Sequence, residues 1–359
     1  MYDAVIIGGG PAGLTAAITA IKRGKNVLIL ERNDRVGKKI LLAGNGKCNI
    51  SNLSVTERNY HGDVSPYLNK ADVKGFFNEI GLLTRTIDNR LYPYSESGKT
   101  VLNVLRKNLP DKVIKSGYNV KSVVKEGGIF VINSEIKAKK VVICTGSNAT
   151  TGSLSTDILS SFGHKINKIT PALVPLKTDI KYIKNLVGVR AKCRVKLYSD
   201  GEEVFSEDGE VQFKSDGIGG IVVLNASRYV DPDKQNVISI DFLPDLSEED
   251  AEKYLLDYGF DGALLRVVGE AVTKQSEDRG ASLSEVVKSF LISGVKLGEI
   301  KYAQVARGGA DIREFDENLQ SDFVDGLYAC GEVLDIDGEC GGFNMHWAFL
   351  SGLIVGENL

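Results

Sequence analysis

Three glycines near the start of the chain have a spacing that suits phosphate binding. They are Gly8, Gly10 and Gly13, in the pattern Gly-x-Gly-x-x-Gly. The first permits a tight turn, the second lets a pyrophosphate approach the backbone, and the third allows a helix to pack closely on a strand. Glu31 follows about 20 residues later, where a carboxylate accepts hydrogen bonds from ribose hydroxyls. The pattern predicts a dinucleotide site, and the acidic residue argues against a 2′-phosphate.

A second glycine-rich segment lies close to the other end of the chain. Gly331 and Glu332 follow a strand pattern, and Gly338, Gly341 and Gly342 precede a helical pattern. A distant segment that returns to the sheet with further backbone donors suits a long cofactor with two ends, such as FAD. Gly331 and Glu332 would meet its ribityl-diphosphate. Backbone N–H groups at the start of the helix would stabilise negative charge at the flavin N1–C2=O edge; they belong to Phe343, Asn344 and Met345.

The elements that position these residues can be read from hydrophobic patterning. Buried-strand patterns at 4–7, 27–30 and 139–145, with a helix at 14–23, indicate a β-α-β unit. Residues 34–60 lack clear periodicity, which predicts a long loop, and 68–83 has a helical pattern. From about 171 the strands, among them 202–206 and 211–213, alternate apolar and polar residues, and helical patterns follow to about 291. We therefore predict a cofactor-binding domain from 1–170 and 306–359, a β-rich inserted domain from 171–246 and 292–305, and a helical subdomain at 247–291.

Other chemistry-bearing residues give weaker signals. The five cysteines form no Cys-x-x-Cys pair, which favours free thiols in a reducing cytoplasm over a disulfide framework or a zinc site. Cys48 and Cys340 are redox candidates, although a lone cysteine more often packs as a small hydrophobe. His346 is a candidate general acid, or a helix residue packed beside Trp347. No metal-ligand spacing is found, and the sequence assigns no catalytic residue.

Charge and composition exclude several classes of protein. Lys and Arg total 44 and Asp and Glu total 47, for a net charge of −3, which argues against a nucleic-acid partner. The 39 glycines have no Gly-X-Y period and accompany only 8 prolines, which excludes collagen and disordered chains. Without a signal-peptide pattern or an apolar run of about 18 residues, we expect a cytoplasmic protein with no membrane partner. The oligomeric state cannot be read from the sequence.

Several long motifs carry a resemblance to a known family. The chain resembles the BaiN/YhiN-type flavoproteins, whose sequences are often labelled NAD(P)/FAD-dependent oxidoreductase or aminoacetone oxidase family. The resemblance covers nearly the whole chain, and its most specific blocks are the Gly-x-Gly-Lys-Cys-Asn loop and the Gly-Glu-Val-Leu-Asp segment. The matching segments are 8–13, 37–52, 171–176, 209–213, 224–227, 331–338 and 341–344.

The resemblance implies a fold and a set of cofactor contacts. The fold is α/β, with a discontinuous Rossmann-like FAD-binding domain, an inserted antiparallel β-domain and a small helical subdomain. Lys39 would face the diphosphate, Val120 would read the adenine edge with its backbone, and the loop from Gly44 to Asn49 would wrap the FAD. The residues expected to bind FAD are Gly8, Gly10, Pro11, Ala12, Gly13, Glu31, Arg32, Lys39, Gly44, Asn45, Gly46, Cys48, Asn49, Val120, Thr145, Gly146, Gly331, Glu332, Gly342, Phe343, Asn344 and Met345.

The chain also departs from the family pattern at several positions. Cys340 stands where the family often has a small uncharged residue or Thr, and His346 stands where it often has Gln. The family's Thr-Gly-Gly is here Thr145-Gly146-Ser147, followed by an unusual Ser/Thr-rich stretch. We therefore expect the substrate face to differ from that of any one relative.

We predict an FAD-dependent oxidoreductase that transfers a hydride between flavin and a small organic substrate. The first hypothesis is NAD(P)H-linked reduction of an activated double bond. NAD(P)H would bind transiently, because no second Gly-x-Gly-x-x-Gly lies between a strand and a helix. Oxidation of an amine by O₂ is an alternative, as is a non-catalytic protein that uses FAD structurally. A flavin-bearing RNA-modifying factor is a further alternative. It would need a basic face on the second domain, and the residues that could form one, or could simply be a solvated strand surface, are Lys181, Lys184, Arg190, Lys192, Arg194 and Lys196.

Overall fold

The computed structural model describes residues 1–147 and 156–359. Those residues divide into two compact units, one built from Met1–Thr170 with Ala306–Leu359 and the other from Pro171–Val305. The Ser/Thr-rich stretch that the sequence places near the substrate face falls at 148–155 and lies outside the described residues.

The N-terminal part of the chain builds most of the first unit. Its helices are α1 (Pro11–Lys22), α2 (Lys38–Leu42), α3 (Val73–Glu79), α4 (Gly98–Lys107) and α5 (Asp157–Ser161). Its strands are β1 (Tyr2–Ile7), β2 (Val27–Leu30), β3 (Ser51–Asn52), β4 (Tyr60–His61), β5 (Thr84–Ile87), β6 (Arg90–Pro93), β7 (Ile114–Lys115), β8 (Val123–Glu126), β9 (Ile129–Ile132) and β10 (Ile136–Ile143).

Strand β11 (Ile166–Ala172) begins in the first unit, and the elements after it form the second unit and then complete the first. The next strands are β12 (Leu176–Lys177), β13 (Arg190–Ser199), β14 (Glu202–Lys214), β15 (Gly217–Gly219), β16 (Asn236–Asp241), β17 (Phe290–Ile292) and β18 (Lys296–Leu297), with helices α6 (Ile221–Ser227), α7 (Glu248–Tyr258), α8 (Arg266–Arg279) and α9 (Leu283–Lys288). The chain then forms β19 (Val305–Ala310), β20 (Leu327–Ala329), β21 (Asp337–Gly338) and α10 (Phe343–Asn358).

A largely parallel sheet forms the centre of the first unit. Its strand order is β7-β2-β1-β10-β9-β8, and β20 also pairs with β10. Strands β7, β2, β1, β10 and β20 run parallel, whereas β9 and β8 form an antiparallel hairpin. The four residues of β2 are all buried, as apolar runs covered on both faces are. The predicted α/β class with a Rossmann-like sheet is confirmed.

Helices α1 and α10 pack closely because α10 carries glycines at the contact. A Cβ added at Gly352 would stand 2.4 Å from the Ala12 carbonyl oxygen. One added at Gly356 would stand 2.6 Å from the Thr19 Cβ and 2.7 Å from the Ala16 carbonyl oxygen. All three distances are shorter than real Cβ contacts, so the two helix backbones approach only where side chains are absent. This packing fixes the C-terminal helix against the first helix of the chain.

An antiparallel sheet organises the second unit. Its order is β17-β16-β13-β14-β15-β12-β18. The side chains of β13 alternate between buried and more exposed positions, as in a strand with one wet face. The two strands predicted at 202–206 and 211–213 are one strand, β14, because its residues pair with β13 along its length, from Ser199↔Glu202 to Arg190↔Gln212. The predicted antiparallel insertion is confirmed, and it also carries helices α7 to α9.

Two local predictions in the first unit were wrong in extent. The segment 34–60, predicted as one long loop, contains α2, β3 and the start of β4. The helix predicted at 68–83 is the shorter α3, which Asp72 caps by accepting a hydrogen bond from the Gly75 N–H at 2.9 Å. Gly81, with φ of 87°, follows its end. In the described ranges, none of the helices is both long and apolar enough to cross a membrane.

The contact between α1 and α10 gives a first prediction. The substitution Gly352→Ala places a methyl group against the Ala12 carbonyl oxygen, and we expect it to lower the free energy of unfolding by about 1–3 kcal/mol. Urea denaturation of the ligand-free proteins, followed by circular dichroism, measures the change. Gly10→Ala is the matched control, because a Cβ there meets no heavy atom within 4 Å and φ is −80°. Equal stability of the two variants would contradict this packing.

Candidate active site

The glycine loop after β1 combines two crowded positions with one open position. Gly8 has φ of 119°, and a Cβ there would stand 2.4 Å from the Cys144 carbonyl oxygen. A Cβ at Gly13 would stand 2.0 Å from the Gly8 carbonyl oxygen, so α1 lies directly against the turn. At Gly10, by contrast, a Cβ would meet nothing within 4 Å. The loop is closed towards the protein and open at Gly10, where a ligand can reach the backbone.

Glu31 follows β2 and holds this loop. Its Oε2 accepts a hydrogen bond from the Gly9 N–H at 2.8 Å. Its Oε1 accepts from the backbone N–H of Asn33 at 2.8 Å and from the side-chain Nδ2 of Asn33 at 2.6 Å. The side chain is 9% exposed. A carboxylate offers about four acceptor positions, so the three bonds leave room for one more, such as a ribose hydroxyl. The neighbouring Arg32 is exposed.

The segment that contains Val120 lies beside the end of β2. The Tyr118 N–H donates to the Glu31 carbonyl at 2.9 Å. The Asn133 side chain donates to the Asn119 carbonyl at 2.9 Å and accepts from the Lys121 N–H at 2.8 Å. Val120 is half-buried and packs on the core of the unit. The structure thus brings Val120 and Glu31 to the same end of the sheet.

The carboxyl ends of β10 and β20 lie side by side at this edge of the sheet. The Cys330 N–H donates to the Ile143 carbonyl at 3.0 Å. The Cys144 thiol contacts the carbonyls of Ile7 and Gly8, each at 3.2 Å, and burial raises the pKa of the Cys144 thiol well above its usual value. Thr145 Oγ1 is buried with no hydrogen-bond partner among the described residues.

Two further glycines complete this edge of the sheet. Gly146 has φ of 72° with open space where a Cβ would stand, and Gly331 has φ of 78°. A Cβ at Gly331 would lie 3.0 Å from the Ala12 Cβ, which places this residue beside the start of α1. The two glycine segments that the sequence separates by more than 300 residues are therefore neighbours.

Lys39 on α2 forms an ion pair with Glu332. The other carboxylate oxygen of Glu332 accepts from Ser147 Oγ at 2.7 Å and from the Ala306 N–H at 3.0 Å. The sequence predicts that Lys39 faces the diphosphate, and the structure gives this ammonium a carboxylate partner. Lys39 therefore connects the loop after β2 with the segment after β20.

The loop from Gly44 to Cys48 has an unusual backbone. Gly44, Asn45, Gly46 and Cys48 all have positive φ, at 57°, 54°, 86° and 58°. The turn is closed by its own backbone, since the Lys47 N–H donates to the Gly44 carbonyl at 3.1 Å and the Cys48 N–H to the Ala43 carbonyl at 2.9 Å. The Cys48 side chain is fully buried, and burial raises the pKa of its thiol to about 12. The Cys48 thiol therefore packs as an uncharged core group.

The segment that follows this loop docks on the N-terminus of α10. Ser51 Oγ lies 2.8 Å from His346 Nδ1, and Asn52 Nδ2 donates to the Gly341 carbonyl at 3.1 Å. Asn49 is 7% exposed and lies so close to α10 that a Cβ at Gly342 would stand 2.7 Å from its Oδ1. These three contacts fix 49–52 against the helix. Ser51 and Asn52 are not among the residues that the sequence predicts for the site, although they lie inside one of the matched motifs.

The first turn of α10 presents backbone donors. Gly342, with φ of 103°, precedes the helix without a side-chain cap, and the first bond of the helix runs from the His346 N–H to the Gly342 carbonyl at 2.9 Å. The N–H groups of Phe343, Asn344 and Met345 precede that bond and have no partner within the helix. The Asn344 side chain instead bonds to the N–H and the carbonyl of Gly338, each at 2.8 Å.

The histidines and aspartates near these segments have structural partners. Burial lowers the pKa of His346 from 6.5 to about 4, so this imidazole is neutral at pH 7. Asp335 accepts from the Gly308 N–H at 2.8 Å, and the fully buried Asp337 lies 3.2 Å from Arg307 Nε. His164 is buried, with its Nδ1 3.0 Å from Glu314 Oε2 and its Nε2 2.8 Å from Ser321 Oγ, so both ring nitrogens have structural partners.

The cations singled out in the second unit are largely neutralised by ion pairs. Arg190 pairs with Glu210 at 3.0 Å, Arg194 with Asp208 at 2.6 Å, Lys196 with Glu203 at 2.9 Å and Lys181 with Asp278 at 2.8 Å. A strand surface of alternating charges does not attract a polyanion as an unpaired basic face would. Where the structure describes the chain, His, Cys, Asp and Glu form no group of three that could hold a metal ion.

Comparison with known proteins places this arrangement in a family. The model of the HI0933-like protein Rossmann domain matches residues 2–358. A 3-dehydro-bile acid delta(4,6)-reductase from Clostridium scindens is 30% identical over 98% of this chain and 97% of its own length. Two proteins named ribosomal RNA dihydrouridine synthase are each 25% identical. The one from Haemophilus influenzae covers 97% of this chain and 96% of its own length, and the one from Escherichia coli covers 100% and 98%.

A solved structure matches over a similar extent. The 3-ketosteroid-delta4-(5alpha)-dehydrogenase from Rhodococcus jostii RHA1 has a TM-score of 0.49 and 15% identity, over 99% of this chain and 96% of that chain. The family model alone spans nearly every residue described above. The chain therefore belongs to the HI0933-like family of Rossmann-type flavoproteins, and it is an FAD-dependent oxidoreductase.

Proposed function

We propose that this enzyme uses FAD to reduce a carbon–carbon double bond conjugated to a carbonyl group, with NAD(P)H as the electron donor. The observation that carries the proposal is the match over nearly the full chain to a bile acid delta(4,6)-reductase at 30% identity. The ribosomal RNA relatives support the same chemistry, since dihydrouridine arises when the C5=C6 bond of uracil, conjugated to C4=O, is saturated. Both names describe addition of a hydride and a proton across a conjugated bond.

The residues of the first unit fit FAD. Gly10 offers open backbone for the pyrophosphate at the N-terminus of α1, where the helix dipole favours negative charge. Glu31 has acceptor capacity left for a ribose hydroxyl. Two buried oxygens, Asn49 Oδ1 and Thr145 Oγ1, have no partner among the described residues, and each can receive or share a hydrogen bond with a bound group. The FAD contacts predicted from the sequence are therefore proposals, and the open backbone at Gly10 and the two unpaired oxygens support them.

FAD, when bound, supplies a hydride donor and acceptor at its flavin ring. The protein would orient that ring with the first turn of α10, whose N–H groups of Phe343, Asn344 and Met345 favour negative charge at the neighbouring edge. His346 stays neutral and holds Ser51, so its role would be to position the 49–52 segment. NAD(P)H would bind transiently, since the sequence contains one Gly-x-Gly-x-x-Gly motif between a strand and a helix.

Reduction of a uridine in RNA is the second candidate, because two full-length relatives carry that name. The ion pairs of Arg190, Arg194, Lys196 and Lys181 weigh against an RNA-binding face on those strands. The net charge of −3 weighs the same way. A small conjugated ketone therefore remains the first proposal for the substrate, and the experiment below also tests an RNA substrate.

Anaerobic stopped-flow spectroscopy tests the reaction. We expect NADH or NADPH to bleach the flavin absorbance of the purified protein, and a conjugated enone to restore it. Saturated ketones of the same skeleton are the control and should leave the flavin reduced. Reoxidation by a uridine-containing ribosomal RNA fragment but not by enones would replace the first proposal with the second. Bleaching only by amines would overturn both in favour of an amine oxidase.

The open position at Gly10 predicts a loss of cofactor without a loss of fold. We expect Gly10→Ala to reduce FAD affinity at least about 100-fold, because the methyl group would occupy the path of the pyrophosphate. Titration of the apoprotein with FAD, followed by quenching of flavin fluorescence, measures the affinity. Circular dichroism should remain that of the wild type. Unchanged FAD affinity would show that the pyrophosphate lies elsewhere.

The lowered pKa of His346 predicts a pH dependence of stability. The unfolded chain takes up a proton near pH 6.5, whereas the folded chain keeps the imidazole neutral down to about pH 4. The free energy of unfolding should therefore fall between about pH 6.5 and 4, by about 3 kcal/mol from this group, and level off below. Urea denaturation of His346→Gln at pH 7 and 4.5 should lack that component. The same loss in both proteins would contradict the assignment.

A further inference from the structure

Strands β3, β6 and β5 form a small antiparallel sheet in the first unit, and its two faces differ. One face is buried on the core, where Ser51 pairs with Leu91. The opposite face, called the outer face below, follows from the same register, because paired residues and residues two apart in a strand share a face. Its side chains belong to Asn52, Arg85, Ile87, Arg90 and Tyr92.

Arg90 is a cation without a partner on the outer face. The residue is half-buried, and its guanidinium forms no ion pair or hydrogen bond with the residues that the structure describes. Asp88, two residues earlier in the hairpin turn, is exposed and does not pair with it. A guanidinium carries five N–H donors in a rigid fork that matches the oxygens of a carboxylate or a phosphate. An oxyanion bound here would satisfy donors that the fold leaves unused.

Arg85 adds charge and a further unused donor to the outer face. It pairs with Glu96 and lies over the ring of Tyr94, with Cζ 5.3 Å from the ring centroid. Glu96 also pairs with Lys47 at 2.8 Å, so one carboxylate serves two cations. The Nε of Arg85 is buried and has no hydrogen-bond partner among the described residues. Positive charge therefore exceeds negative charge on and beside the outer face.

The outer face begins at the segments that the proposed function gives to FAD. Asn52, the partner of Arg90 across the strands, donates to the Gly341 carbonyl at 3.1 Å, just before α10. Tyr92 lies beside the loop after α2, since a Cβ at Gly44 would stand 3.9 Å from its Cε1. The pyrophosphate of FAD is assigned to the glycine loop after β1, so the donors of the outer face remain for a reactant that meets the flavin.

Large apolar side chains surround these cations and are exposed. Ile87 lies on the outer face itself, and Leu83 and Tyr94 extend it where the Tyr94 N–H donates to the Leu83 carbonyl at 2.8 Å. Leu53 borders the hairpin turn, because its N–H donates to the Asn89 carbonyl at 2.7 Å. Exposed apolar surface of this kind marks binding sites. A ligand that fits the outer face has an apolar or aromatic body and an oxyanion.

We propose that the outer face binds the reactant that exchanges a hydride with the flavin, and that Arg90 receives an oxyanion of this reactant. The apolar side chains around Arg90 hold the body of the same molecule. This inference rests on the proposed function, because that function supplies the reactants. The oxyanion has two sources among them: a phosphate of NAD(P)H, or a carboxylate carried by the conjugated ketone.

Paired reactants that differ only in charge test the role of Arg90 and distinguish the two sources. NADPH is compared with N-benzyl-dihydronicotinamide, a hydride donor without phosphates, and an enone carboxylic acid with its methyl ester. We expect Arg90→Gln to lower kcat/KM at least about 10-fold for the anionic member of one pair, through KM. The neutral member should change by less than about 2-fold. Loss with NADPH identifies the phosphate, and loss with the acid identifies the carboxylate.

The matched control is Arg106→Gln, which removes an exposed and unpaired arginine of the same unit on α4. It should leave kcat/KM for all four reactants at the wild-type value. Arg90→Lys keeps the charge and should recover part of the discrimination, which also guards against a folding defect in Arg90→Gln. Equal losses for the charged and neutral members of both pairs, or no loss at all, would overturn the assignment.

Two binding measurements separate this inference from the proposed function. The affinity of the Arg90→Gln apoprotein for FAD should equal that of the wild type, and a large loss would assign Arg90 to the cofactor instead. Calorimetric titration of the oxidised, FAD-loaded protein with NADP⁺ and with the saturated acid needs no turnover. If the enzyme fails to reduce enones, the proposed function fails. Binding of either anion that Arg90→Gln weakens at least about 10-fold would still support the site, and binding of neither would overturn it.

Discussion

The close approach of α1 to its neighbours is the constraint on which the first unit depends. Gly13 lets the helix start against the Gly8 carbonyl, and Gly352 and Gly356 let α10 lie against the same helix. Each contact exists only because a Cβ is absent. The consequence is geometric: two segments from opposite ends of the sequence meet at the carboxyl edge of the parallel sheet, where ligands of α/β proteins bind. Without these glycines the glycine loop after β1 and the C-terminal helix could not lie against the same helix, α1.

Polar contacts then align the loops that this packing brings together. Glu31 ties the glycine loop to the end of β2, and Glu332 ties α2 to the segment after β20. The 49–52 segment is held on α10 by Ser51 and Asn52. Each of these contacts joins residues distant in sequence, so the loops owe their order to tertiary packing more than to their own propensities. Such support from surrounding groups is what allows a cofactor site to be preorganised.

The sequence predicts the fold class and the glycine turns well, and for a physical reason. Glycine at a turn and apolar runs in strands are local signals, and they identify the β-α-β unit and the antiparallel insertion directly. The bonds of Ser51 to His346 and of Ser147 to Glu332 span 295 and 185 residues, so no local pattern reports them. The hydrogen bonds of Asn33 to Glu31 could not be predicted for another reason, since a polar residue after a strand has the same local pattern as any loop residue. The predicted cofactor contacts themselves stay predictions, supported by open space at Gly10 and by unpaired buried oxygens.

The charges around the proposed flavin are balanced in a way that bears on its redox chemistry. Burial keeps the Cys48 and Cys144 thiols protonated and the His346 imidazole neutral at pH 7. Lys39 is paired with Glu332, so its ammonium is compensated. Negative charge that develops on a reduced flavin would then be stabilised chiefly by fixed backbone dipoles at α10, which do not titrate. Those dipoles would act at any pH at which the helix is folded, whereas the two thiols and the imidazole contribute no charge near pH 7.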